Sequence, residues 1–154
     1  MVTKDMTFAR EQIEAMSEAE LRDVVLVPLL EAMGFRDVYV RHGILELGKD
    51  IVCWQVDELT GRVNYAVVAK AEDITGSISS ASSASQVLIQ VEQCFDEPYV
   101  DALTGQSRDV QRCWVITSKR VIPTALNSIR GKLRKSNLDK LIIWVDGEKL
   151  WKFV

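Results

Sequence analysis

Asp50 and Lys70 are the residues whose types and placement could do chemistry together. Asp50 opens the run D-I-V-C-W-Q-V (50–56), Lys70 closes V-N-Y-A-V-V-A-K (63–70), and D-E-L-T-G (57–61) lies between. Two β-rich runs joined by five residues that include glycine predict an antiparallel hairpin. In a hairpin the start of one strand lies beside the end of the other. Asp50 and Lys70 are therefore expected as neighbours at one end of a sheet. Glu46 approaches the same end from the preceding loop, and Glu72 lies one pleat period beyond Lys70. Carboxylates and a lysine at a sheet edge suit metal-assisted phosphodiester hydrolysis. The acids hold Mg²⁺, which prefers oxygen ligands. The ion polarises the phosphoryl oxygen and lowers the pKa of a bound water. The lysine orients that water or offsets charge in the transition state. The plain alternative is a surface Asp–Lys ion pair, and spacing alone favours it.

The elements that must position these residues follow from periodicity. Residues 8–15 read as a short amphipathic helix. Ser17-Glu18-Ala19-Glu20 has the form of a capping box, opening a second helix with Leu21, Val24, Val25, Pro28 and Leu29 at helical spacing. Pro28 is expected to kink it and Gly34 to cap it. Residues 38–40 begin the strands. Residues 75–85, T-G-S-I-S-S-A-S-S-A-S, read as a loop feeding a helix over 83–96, with Val87, Val91, Cys94 and Phe95 on its apolar face. Residues 101–108 read as a polar loop. The apolar runs 113–117 and 141–145 flank a helix over 123–135, a βαβ unit with parallel pairing. Asp146-Gly147 reads as a turn before the final residues. The order ααβββαβαβ predicts an α/β fold, with a single mixed β-sheet flanked by helices.

Composition narrows the function classes. The 154 residues are 47% hydrophobic and 27% charged, which suits one domain with a real core. The chain ends on an apolar segment, which suggests a fragment of a longer protein. No run is long enough to span a bilayer and no apolar leader opens the chain, so a cytoplasmic protein without a membrane partner is expected. The three cysteines lie in apolar stretches without metal spacing, and the chain has one histidine, so buried reduced thiols are expected. Net charge is −3, but residues 119–140 hold seven basic side chains against Asp139 alone. Arg130, Lys132, Arg134 and Lys135 could contact phosphate; a solvated helix face explains them equally well. Gly48-Lys49-Asp50 lacks the glycine spacing of a P-loop. The serines of the 75–85 loop have no G-x-S-x-G elbow and no histidine partner. His42 reads as an incidental loop residue, and Trp54, Trp114, Trp144 and Trp151 read as core.

Four segments carry a resemblance. They are Leu30-x-x-Met33-Gly34-Phe35, H-G-I-L-E-L-G-K-D-I (42–51), Y-A-V-V-A-K-A-E-D-I-T-G-S (65–77) and Q-V-L-I-Q-V (86–91). In this order they resemble the PD-(D/E)xK nuclease superfamily, and are most similar to its Mrr-like restriction-endonuclease branch. The resemblance implies a restriction-endonuclease-like fold and a Mg²⁺- or Mn²⁺-dependent endonuclease acting on DNA, in a defence setting. It implies Asp50 as metal ligand, Lys70 as catalytic lysine, the Ala69 carbonyl as a further metal ligand, and Gln90 as the helix glutamine that orients the site or contacts phosphate. Val68 departs from the pattern, which has an acid or glutamine there; Glu46 or Glu72 would have to substitute. If neither does, a catalytically inactive interaction or nucleic-acid-binding module is implied, within a larger defence or mobile-element protein. A homodimer or a fused sensor domain is compatible with either.

Overall fold

A computed structural model describes residues 8–41, 48–76 and 83–154. The fold is α/β, a five-stranded mixed sheet with helices on both faces. Helix α1 (Arg10–Glu14) leads to α2 (Glu18–Glu20), which runs on through a π-helical stretch (Leu21–Leu26) into α3 (Val27–Ala32). The helix widens over the turn before Pro28, where the sequence predicts a kink. Pro28 has no N–H to give, and the Val27 N–H reaches back five residues to the Arg22 carbonyl.

Strands β1 (Arg36–Val40), β2 (Ile51–Asp57) and β3 (Gly61–Lys70) form an antiparallel meander. The β2–β3 turn is built as its residue types require. The Asp57 carboxylate accepts the N–H groups of Leu59 and Thr60 at 2.8 and 3.1 Å, and Gly61 takes a φ of 80°. The register then runs without slip from Asp57↔Gly61 to Ile51↔Val67. Helix α4 (Ala84–Asp96) is capped by Ser83, whose hydroxyl accepts the Gln86 N–H.

Residues 101–108 are not a plain loop. Strands β4 (Tyr99–Val100) and β5 (Ser107–Arg108) pair as a small hairpin, its turn held by Asp101 side-chain bonds that composition does not reveal. Strand β6 (Arg112–Thr117) pairs parallel to β3. Helix α5 (Pro123–Lys135) crosses over to β7 (Ile142–Val145), which pairs parallel to β6. The sheet order is β1-β2-β3-β6-β7. Asp146-Gly147 opens α6 (Gly147–Phe153) instead of a free turn, because Asp146 accepts the Lys149 N–H as an N-cap.

Pleat alternation divides the core. Ile51, Cys53, Val67 and Ala69 pack with Leu21, Val25 and Leu30 under the N-terminal helices. Val52, Ala66 and Val68 pack with Val87, Val91 and Ile129 under α4 and α5. The three cysteines are free and buried, and burial pushes the Cys53 thiol up to about 12. No helix among the described residues is long and apolar enough to cross a membrane.

Candidate active site

Asp50 sits just before β2, between two neighbouring strands. Its carbonyl accepts the Arg41 N–H at 2.9 Å from the β1 side, and its own N–H donates to the Val67 carbonyl at 3.0 Å. Beyond Ile51↔Val67 the ladder changes partner: the Ala69 N–H donates to Asp50 Oδ2 at 2.7 Å. The side chain thus takes the place a β2 carbonyl would have had. Ala69 meets Asp50 through its amide N–H. A charge-assisted bond of this kind holds the carboxylate in one orientation.

Lys70 ends β3 one residue later. Asp50 and Lys70 are 4% and 5% exposed. Lys70 pairs in register with Thr117, and the Lys70 carbonyl accepts the Ser118 N–H at 3.1 Å. The hairpin therefore brings an acid and a lysine to one end of the sheet, largely sheltered from water. Lys49, one residue before Asp50, is closed off from solvent, and burial lowers its pKa.

Glu18 joins this end from α2. Its carboxyl lies at the surface yet is crowded enough that burial raises its pKa; the Asp50 and Glu72 charges raise it further, while Lys70 and Arg22 oppose them. Glu18 thus feels the charges of Lys70, Asp50, Arg22 and Glu72. Sequence spacing did not point to Glu18, because its neighbours Ser17 and Glu20 account for the local pattern. Ser17 accepts the Glu20 N–H and its hydroxyl meets Glu20 Oε1 at 3.2 Å, which leaves Glu18 outside the cap.

Glu72 is exposed, and its carbonyl accepts the Thr117 hydroxyl at 2.6 Å. Val68, where an acid would be needed for the motif, is 0% exposed in the apolar layer under α4. Glu46 and His42 lie outside the described residues. Gln90 is on α4, with Oε1 buried and without a hydrogen-bond partner among the described residues. The Gly48 backbone is pressed onto that helix: a Cβ at Gly48 would stand 2.5 Å from the Gln90 carbonyl oxygen, and φ is 83°. Cys94 Sγ donates to the Gly48 carbonyl at 3.4 Å. Helix α4 thereby seats the approach to Asp50.

The basic turn of α5 lies elsewhere. Because β6 and β7 are parallel, α5 runs back from the C-terminal end of β6 to the N-terminal end of β7. Arg130, Lys132, Arg134 and Lys135 occupy its last turns, so they sit towards the end of the sheet opposite Lys70. Arg130 makes a two-pronged pair with Asp139 (3.1 and 3.3 Å) and Arg134 approaches the same carboxylate at 3.5 Å. These arginines, Arg130 foremost, hold the Asp139 carboxyl below its usual range.

The acids here are hard oxygen donors of the type Mg²⁺ and Mn²⁺ take. Among the described residues, no three Asp, Glu, His or Cys side chains are grouped closely enough to form a metal cluster. A scan against protein-family models finds no match, and comparison with curated proteins and with solved structures finds none either.

Proposed function

We propose that this chain is a PD-(D/E)xK-type nuclease that hydrolyses phosphodiester bonds in DNA, with Asp50 and Lys70 at its centre. The observation that carries this is the sheltered Asp50–Lys70 corner, its carboxylate fixed by the Ala69 N–H. An antiparallel meander followed by a helix and a strand parallel to the third also supports it, as the fold the resemblance implies.

Asp50 and Glu18 would hold a Mg²⁺ or Mn²⁺ ion, the ion taking its remaining ligands from water. When bound, the ion polarises the phosphoryl oxygen and lowers the pKa of a water. Burial raises the Glu18 pKa first of all, and a bound divalent cation would favour its ionised form. Glu18 thus replaces the acid missing at Val68, with Glu72 adding negative charge nearby. Lys70 orients the attacking water and offsets charge developing on the phosphate. Gln90, whose buried Oε1 has no partner among the described residues, is the acceptor left to orient the site.

A second reading has a specific observation in its favour. Val68 is a core residue and the described acids form no three-group cluster. A nuclease-fold domain that binds a partner without cutting would look the same at those positions. Plasmid and linear DNA incubated with Mn²⁺ separate the two. The chain is expected to cut, and Lys70→Ala to cut about 10²–10³-fold more slowly, the scale of removing one transition-state donor. Equal behaviour of wild type and variant overturns catalysis at this site.

A further inference from the structure

The sheet has two edges, and they are built differently. Strand β1 closes one side. It carries Arg36 and Asp37, its register slips between Arg36 and Tyr39, and Asp37 takes a φ of 49°. Charges and an irregular register keep a strand edge from pairing further. Strand β7 closes the other side and has neither. Its residues are Ile142, Ile143, Trp144 and Val145, in unbroken parallel register with β6. Among the described residues no strand pairs with its far side. A parallel strand bonded on one side only turns alternate N–H and C=O groups outward. Ile143 is 40% exposed there. Phe153 of α6, 49% exposed, shares a concavity with Trp144 beside the strand.

The charges at the two ends of β7 say what fits. Asp139 and Lys140 precede the strand, and Glu148 and Lys149 follow it. A second copy laid antiparallel, about a two-fold axis through Trp144, sets Ile143 against the partner's Val145 and covers its exposed side chain. Just beyond the strand ends, Lys140 comes towards the partner's Glu148 and Asp139 towards the partner's Lys149. Each approach joins opposite charges, and the symmetry makes each of them twice. A copy laid parallel and in register would set Lys140 beside Lys140 and Glu148 beside Glu148, which is unfavourable.

We propose that β7 is a self-association edge, through which two copies of this chain pair antiparallel and join their five-stranded sheets into one continuous sheet. The pairing is independent of the phosphodiester chemistry proposed above, because β6 and β3 stand between β7 and the strand that follows Asp50.

The test is sedimentation velocity on the full chain. The wild type is expected to pass from monomer to dimer between about 1 and about 100 µM, the weak end of specific interfaces. Ile143→Lys places a charge on the bare edge at a position already open to solvent. It is expected to stay monomeric throughout, with an unchanged thermal melt. Lys140→Glu and Glu148→Lys are each expected to weaken the dimer about tenfold, since each creates two like-charge approaches. The double variant Lys140→Glu/Glu148→Lys exchanges the two charges and is expected to restore wild-type association. A wild type that stays monomeric over this range, its edge left for an unlike strand, overturns the proposal. So does a dimer that persists in folded Ile143→Lys, or a double variant that associates no better than either single one.

Discussion

Asp50 and Ala69 meet as acceptor and donor at 2.7 Å, where a side-chain carboxylate takes over from the β2–β3 ladder. A surface ion pair would need no such anchoring. The bond pins the acid at the end of β3, one residue short of Lys70, and it separates charge from shape in mutagenesis. Asp50→Asn keeps an oxygen for the Ala69 N–H, so its melting temperature is expected to stay close to wild type while activity is lost. Asp50→Ala leaves a buried donor without its partner, a loss of about 1–3 kcal/mol. That corresponds to a drop of several degrees in thermal denaturation. Equal melting of the two variants would contradict the anchoring role.

Glu18 should make stability depend on pH in a definite direction. Its folded-state pKa is raised, first by burial. A raised carboxyl pKa means the folded chain holds the proton more tightly than the unfolded one. The contribution to stability is then fully present below the ordinary value of 4.5 and is lost as pH rises through the raised value. Glu18→Gln is therefore expected to melt higher than wild type at pH 7 and level with it near pH 3. Parallel melting curves across that range would remove the electrostatic case for Glu18. Loss of cutting in the same variant would place Glu18 in the chemistry.

Val68 offers a test of where the second acid belongs. Its side chain is sealed in the layer with Ala66, Val87 and Val91. Val68→Glu restores the motif on paper but buries an unpaired carboxylate. A loss of about 3–5 kcal/mol is expected from denaturant unfolding, with no gain in activity. A stable variant that cuts faster than wild type would show that the site reaches Val68 after all.

Salt dependence locates the DNA path. The basic turn of α5 lies towards the sheet end opposite Lys70, and two of its arginines share Asp139. The double variant Lys132→Glu/Lys135→Glu is expected to keep the wild-type salt slope of oligonucleotide binding. Had either lysine been paired with a phosphate, its removal would lower that slope by about 1. A clearly reduced slope would put the nucleic acid on α5.

Much of this arrangement could be read from local chemistry. The five-residue Gly-containing loop set the hairpin, and the hairpin alone put Asp50 and Lys70 at one end of the sheet. Pro123 and the apolar runs on either side marked the βαβ unit with its helix bounds unchanged. What escaped depended on contacts distant in sequence. Glu18 acts on the site electrostatically from a helix distant in sequence, and its local pattern is explained by the cap beside it. The β4–β5 hairpin is held by Asp101, whose partners Arg62 and Arg108 come from separate strands. Trp54 reads as core by composition, whereas the structure leaves it half-buried between arginines. Charge counting left the 119–140 segment open between a phosphate-contacting and a solvated face, since the number of charges does not say at which end of a sheet a helix finishes.

Calorimetric titration of Mn²⁺ into the wild-type chain and into Asp50→Asn probes the Asp50 corner without requiring a substrate. Saturable binding near one ion per chain, abolished in Asp50→Asn while the variant still melts like wild type, is the predicted result. No binding to the wild type, or identical binding by both proteins, would contradict a metal-dependent nuclease centred on Asp50.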